Sequence, residues 1–351
     1  MAAMVIVNNP GDWSTVYAPL LHAPWHGLTP TDLIFPFFLF IVGVSITLAT
    51  RSSAAVATIC RRAAVIFALG MALALYPRFE FASVRIPGVL QRIALCYLAG
   101  ALFYRWTSRR SVGRDFSPGA AALIAALALL LGYWALIGRD LTPDGNAGAA
   151  IDRAIFGPHL WRQSRTWDPE GLLSTLPAVA TTLTGLAAGL VMTSGRPLRE
   201  TIRTIALWSA GALIAGFAWS TVFPLNKSLW TSSYVLVTSG FAGLLLAVLH
   251  WALDVSGSGG SVVRGFRAFV ILGRNALLLF VISGFLAKTL ALIRVDDGQG
   301  STVSLGRWLY SSWFLPLAAP KNASLLFALA NLGVLFALLW WLDRRRWYLR
   351  V

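Results

Sequence analysis

Charge is the scarcest commodity in this chain. Only 12% of its 351 residues are Asp, Glu, Lys or Arg, against 57% hydrophobic, and just 14 are acidic. Mean hydropathy is +0.69. An ordinary soluble globular domain, with about 25% charged residues, is excluded by that balance. Cysteine is nearly missing: Cys60 and Cys96 stand apart, with no CxxC pair or His/Cys cluster near them. Neither a disulfide nor a metal site is expected. Lysine occurs only at 227, 288 and 321, so all but three of the 29 basic residues are arginine. A formal charge of +15 would suit nucleic acid in a soluble chain, but here most arginines sit between apolar runs, and membrane topology accounts for them without a nucleic-acid partner. There is no internal repeat of roughly 20 to 50 residues and no inverted pair of interrupted helices of the secondary-transporter kind. A signal peptide is not expected either, since the first apolar run, Ala2 to Val7, is short and lacks a basic flank.

What the chain does contain is apolar runs of spanning length, at 32–51, 59–76, 87–105, 118–138, 171–194, 201–223, 229–253, 268–291 and 322–342. Roughly 20 apolar residues cross a hydrocarbon core of about 30 Å. The expected fold is all-α, a polytopic transmembrane helix bundle of about ten spans with the first one truncated, forming one integral-membrane domain over residues 1–351. Residues 302–316, with Trp308, Tyr310 and Trp313, suit an interfacial helix better than a span.

Sorting the loops by alternation collects short arginine-rich loops on one side, around Arg51 and Arg61, Arg105 to Arg114, Arg196 to Arg203, Arg264 and Arg267, and Arg344 to Arg350. Most acidic residues fall on the other side. The positive-inside rule makes the first side cytoplasmic, so His22 and the loops 139–170 and 292–321 face outward. The piece SGSGGS at 256–261 reads as a cytoplasmic connector.

Residues 22–43, HAPWHGLTPTDLIFPFFLFIVG, run from a polar loop straight into an apolar helix. His22 there is either a headgroup-level loop histidine or a base, because an imidazole with an ordinary pKa near 6.5 accepts a proton at neutral pH. His26 reads as a solvated loop residue. Asp32, after Thr-Pro-Thr, either caps the helix or orients a histidine or a cationic substrate group. Arg92 and Arg274 fall inside or at the start of apolar runs, where a charge costs at least about 2.5 kcal/mol on insertion scales. An anionic ligand or a structural ion pair offsets that cost. Asp168 and Glu170 in WDPEG, and Asn226 and Lys227 in FPLNKSLW, stand at helix mouths, where they either bind a sugar or amine or are plain loop groups.

The blocks MVIVNNPG, HAPWHGLTPTDLIFPFFLFIVG, RIPGVLQR, WDPEGLLSTLPAV, FPLNKSLWTSSYVL and GRNALLLF, in this order, resemble the membrane acetyltransferases typified by heparan-alpha-glucosaminide N-acetyltransferase. That resemblance implies transfer of an acetyl group from cytosolic acetyl-CoA, as co-substrate, to an amino sugar (glucosamine-like) or envelope glycan on the far side of a bacterial inner membrane. It implies His22 as the active histidine and Asn8 as the active-site asparagine, an oxyanion or acetyl contact. Asp32 joins them as a catalytic candidate, with Arg92, Arg274, Asp168, Glu170, Asn226 and Lys227 as substrate-binding candidates. It also implies an Asp-x-x-Arg-Gly block upstream of Met4 that this sequence lacks, hence the expectation of a truncated first helix. A homodimer is compatible with this reading. An amino-sugar transporter or permease is the alternative.

Overall fold

The computed structural model describes residues 1–49, 55–110, 117–255, 265–298 and 300–349. Arg51, Arg114, Arg264, Arg350 and the connector at 256–261 lie outside the described residues. Helix α1 (Ala2–Asn8) is followed by an irregular segment with three single-turn 3-10 helices, the last at Pro30–Leu33, which leads into α2 (Ile34–Ala49). Then come α3 (Val56–Leu75), α4 (Val89–Arg110), α5 (Pro118–Ile137), α6 (Ala147–Phe156), α7 (Thr175–Met192), α8 (Leu198–Ser220) and α9 (Ser232–His250). The chain closes with α10 (Arg267–Arg274), α11 (Ala276–Leu292), α12 (Leu305–Leu309) and α13 (Pro320–Arg344).

The helix limits follow local chemistry. Ser117 caps α5 by accepting from the Ala120 amide, Pro118 occupies the first turn, and Gly138 ends the helix at φ 82°, a left-handed conformation that suits glycine. Asn146 likewise caps α6. Pro36 near the start of α2 costs little, since first-turn amides have no helical partner. Gly273, Arg274 and Asn275 separate α10 from α11 with a bend of 79°. Asn275 secures that break, donating to the Trp347 carbonyl at 3.0 Å and accepting from the Leu349 amide at 2.9 Å.

Each predicted apolar run is a helix, with 268–291 divided at the bend. Among the described residues, seven helices are long and apolar enough to cross a membrane, or eight if the bent pair counts as one span. The expected count of about ten also included α1 and α4. Helix α1 has only seven residues, and α4 carries Gln91, Arg92, Arg105, Arg109 and Arg110. Two features were not foreseen. Helix α6 is amphipathic and sits inside the loop 139–170. A short antiparallel ribbon, Arg294–Asp296 with Thr302–Ser304, precedes α12, because β-branched residues flank a Gly- and Asp-rich turn. The interfacial stretch 302–316 is only partly helical: Trp313 is exposed, while Tyr310 is buried against Phe327.

The core is built on α7, 12 of whose 18 residues are buried, packed by α2, α4, α5 and α9. Small residues let the backbones meet. A Cβ on Gly43 would collide with the Thr182 carbonyl, and one on Gly185 with the Phe40 carbonyl, so α2 and α7 touch backbone to backbone. Large apolar residues point outward from α5 and α8, among them Ile124, Leu127, Leu131, Ile214 and Phe217, as a lipid-facing surface requires. Helices α2, α4, α7, α9 and α13 begin at the end of the bundle that holds His22, and α3, α5, α8 and α11 finish there. Gly43→Ala should lower the midpoint of thermal unfolding in detergent, costing about 1–3 kcal/mol by overpacking. Gly132→Ala, with nothing within 4 Å of the added methyl, should not; equal behaviour of the two variants would refute this packing account.

Candidate active site

Four loops meet at one end of the bundle: residues 17–33, the turn 84–88, the long loop 138–174 and the turn 221–231. Trp25 binds them together, donating to the Leu141 carbonyl at 2.9 Å and meeting Trp167 edge to face. Gly27 donates to the Leu225 carbonyl at 2.8 Å, and Ile86 to the His159 carbonyl at 3.0 Å.

Asp32 is fully buried and lies in the last 3-10 turn before α2 as part of a capping box with Thr29. Its Oδ2 accepts from the amides of Ala23 and Thr29 and from the Thr29 hydroxyl, at 3.0 to 3.1 Å. Its Oδ1 lies 2.6 Å from His22 Nδ1. One oxygen of this carboxylate thus belongs to the capping box and the other contacts the histidine ring. A carboxylate at Nδ1 draws the ring proton to that nitrogen, so Nε2 carries the lone pair. The His22 side chain is 48% exposed, open to a substrate.

Lys227 stands against the ring, its Nζ 3.0 Å from Nε2 and 3.1 Å from Nδ1. Nearly equidistant from the two ring nitrogens, the ammonium lies against the face of the imidazole. Burial pulls the Lys227 ammonium below the usual lysine range, with Arg92 adding to the effect and Glu170 and Asp32 opposing it. The turn that presents Lys227 is built by the buried Asn226, whose side-chain oxygen accepts from the Leu229 amide at 2.8 Å and whose Nδ2 lies 3.3 Å from His26 Nδ1.

Behind Lys227 lies a second charged group. Arg85 donates from Nε to Asp168 at 2.8 Å and from Nη2 to Asp168 at 2.5 Å, and also pairs with Glu170. Burial opposes ionisation of Glu170, but the charges of Arg85, Arg92 and Lys227 outweigh it and hold the carboxyl below the usual range. Arg92 is 1% exposed. Its Nη2 donates to the Gly171 carbonyl at 3.1 Å and the Ser174 hydroxyl at 2.5 Å, and its guanidinium carbon lies 5.1 Å from the Trp230 ring centroid. Its Nε and Nη1 are buried without a hydrogen-bond partner, an uncommon state for donors of this strength.

The structure thus joins His22, Asp32 and Lys227 directly, with Asn226, Asp168, Glu170 and Arg92 around them. It does not join the other two candidates to this group. Asn8 is exposed at the end of α1, and among the described residues no hydrogen bond connects it to His22. Arg274 ends α10 at the opposite end of the bundle, its side chain 54% exposed and paired with Asp343 at 2.9 Å. That is the structural ion pair weighed against a ligand role. Two residues escaped the sequence reading. Arg85 opens the block RIPGVLQR, and its position there was the available signal. Asp152, in α6, accepts from the Leu172 amide at 2.8 Å, and nothing local marks it. No cluster of three or more His, Cys, Asp or Glu suited to a metal occurs among the described residues.

Residues 1–142 match the family model described as heparan-alpha-glucosaminide N-acetyltransferase, catalytic. Over these residues the chain is similar to that family. This stretch holds His22, Asp32, Arg85 and Arg92. The heparan-alpha-glucosaminide N-acetyltransferase of Mus musculus is 27% identical over 344 aligned residues, covering 80% of this chain and 51% of the mouse protein. That of Homo sapiens is 28% identical over 340, covering 79% and 50%. The chain spans about half the length of these curated relatives.

Burial raises the Asp152 carboxyl to about 6, with the Asp168 charge adding to it and the Leu172 amide opposing. A carboxyl raised on folding favours the folded state below the unfolded pKa, and that contribution is lost as pH climbs through the folded value. Asp152→Asn should therefore raise the unfolding midpoint relative to the parent at pH 7, with the gain vanishing toward pH 4. A gain independent of pH in thermal scans would refute the assignment.

Proposed function

We propose that this chain is a transmembrane acetyltransferase that moves the acetyl group of acetyl-CoA onto the amine of a glucosamine-like sugar or envelope glycan, with His22 as general base. The observation that carries the proposal is the buried Asp32 carboxylate at 2.6 Å from Nδ1 of the half-exposed His22, which draws the ring proton to Nδ1 and leaves Nε2 as the base. A base aligned by a buried carboxylate is the arrangement that proton transfer at neutral pH calls for.

The chemistry then runs as follows. The sugar ammonium loses one proton to solvent, and its nitrogen displaces Lys227 from Nε2 and attacks the thioester carbonyl carbon. A C–N bond forms while Nε2 takes the second amine proton. As the C–S bond breaks, the imidazolium gives that proton to the departing thiolate. Lys227, moved from the ring by one rotamer step, faces the oxygen on which negative charge develops, with Glu170 as its counter-ion. An oriented donor at such an oxygen contributes on the order of 3 kcal/mol. Asn8 serves as the second donor, on a segment that hangs from α13 by the Gly11 amide and the Ser324 carbonyl at 3.3 Å. The two free N–H groups of Arg92 are suited to an amide or thioester carbonyl of the donor. Asp168 and Glu170, held by Arg85, would receive the sugar hydroxyls.

The proposed topology follows the arginine distribution: His22 on the outer face of a bacterial inner membrane, about ten spans, acetyl-CoA entering from the arginine-rich cytoplasmic side, and a single catalytic domain that tolerates homodimerisation. No metal takes part in the proposed cycle.

Purified protein given acetyl-CoA and glucosamine should release free thiol. His22→Ala should lower that rate at least 100-fold with the unfolding midpoint unchanged, as loss of a general base does. Asp32→Asn should lower kcat by about 100-fold or more through the wrong ring tautomer. Undiminished turnover in His22→Ala would overturn the proposal, and sugar uptake into vesicles without thiol release would favour the transporter reading.

A further inference from the structure

A cleft at the His22 end of the bundle, away from His22, lies between the ends of α3 and α11 and the start of α4. Its volume is about 610 Å³, within the range of small-molecule sites. Its two levels differ in character. The deep part is apolar, lined by Gly70, Leu73, Ala74, Leu90 and Phe280. The rim carries Arg78, Arg85, Arg162, Lys288 and Arg294, with Glu80 as its one acidic residue.

The rim charges are unequally neutralised. Arg85 is committed to Asp168 and Glu170. Arg162 and Arg78 share Glu80, the latter at 3.9 Å. Lys288 donates to the carbonyls of Leu73 at 2.5 Å and Tyr76 at 2.8 Å, which leaves its charge without an acidic partner. Arg294 is exposed at the start of the ribbon and has no ion pair among the described residues. Glu80 and the two carboxylates that hold Arg85 set three negative charges against five cations, so the cleft keeps an excess of about two positive charges on simple Coulombic counting. These cations lie where α3 and α11, two helices of spanning character, reach the bundle surface. Gly70 is about 8 Å from the end of α3 at 1.5 Å per residue, so the cleft extends along the side of a helix of spanning character.

We propose that this cleft binds a membrane phospholipid with an anionic headgroup, its phosphate against Arg162, Lys288 and Arg294 and one acyl chain against Leu73, Ala74 and Phe280. Charge complementarity selects the headgroup, and the apolar floor selects a ligand with a chain over free phosphate. Because Arg85 lines the same cleft and also holds Asp168 and Glu170, an occupied cleft would stiffen the group behind Lys227. The proposal does not depend on the acetyl-transfer reading.

The test uses the full chain in neutral detergent, titrated with dioctanoyl phosphatidylglycerol, dioctanoyl phosphatidylcholine or inorganic phosphate, with binding followed by native mass spectrometry and by the shift in unfolding midpoint. Phosphatidylglycerol should bind and raise the midpoint, with phosphatidylcholine and phosphate at least tenfold weaker. The double variant Arg162→Ala/Arg294→Ala, altered only at exposed residues, should bind phosphatidylglycerol at least tenfold more weakly while keeping the lipid-free midpoint. Ala74→Phe, which fills the floor without changing charge, should do the same, whereas Arg267→Ala at the opposite end should bind as the parent does. Equal binding of phosphatidylcholine, equal binding of inorganic phosphate, or unchanged affinity in both cleft variants would each overturn the proposal.

Discussion

A carboxylate removed from water at the mouth of a helix bundle must have its lone pairs met by donors, because leaving a buried charge unsatisfied costs several kcal/mol. Asp32 meets that constraint with four partners: the amides of Ala23 and Thr29, the Thr29 hydroxyl and the His22 ring. These partners shape the loop 22–33, start α2 and direct the imidazole. Helix geometry and histidine orientation therefore share one cause. Tyr234 of α9 adds a hydrogen bond to the Asp32 backbone carbonyl at 2.6 Å, which ties the turn to the core.

Around this point the charges form a graded series. Arg85, 26% exposed at its side chain, holds two carboxylates. Lys227 lies between Glu170 and Asp32 and rests on the imidazole. Arg92, deeper still, has a carbonyl, a hydroxyl and an indole face but no acidic partner in contact. Opposite charges outweigh burial at Glu170, whereas at Lys227 burial outweighs them and draws the ammonium below the usual lysine range. The result is a polar assembly within an apolar bundle, next to a half-exposed histidine.

The packing beneath serves the same end. Backbone contact of α2 with α7 through Gly43 and Gly185 places the starts of both helices side by side, so the segments that precede them lie at the same end of the bundle. Helix α9 completes the set by bringing the turn with Lys227 to the same level. Branched side chains at those glycines would separate the helices and with them the parts of the site.

The sequence by itself determined that this is a helical bundle, and it determined which segments form the long helices, since apolar runs of this length have few other solutions. It pointed to the loop of His22 and Asp32, because a polar cluster abutting an apolar run stands out, and to the charged helix mouths around 168–170 and 226–227. Tertiary structure alone decided how these assemble. Lys227 and His22 are 205 residues apart, and no local signal tells that they touch. Arg92 and Arg274 read alike as charges in apolar surroundings, yet one is buried with two free donors and the other lies half exposed in an ion pair at the opposite end. Arg85, which the sequence reading passed over, holds two carboxylates. The physical reason is common to all of them: burial and pairing of a charge depend on which helix ends meet, and that is settled by packing between segments far apart in the chain.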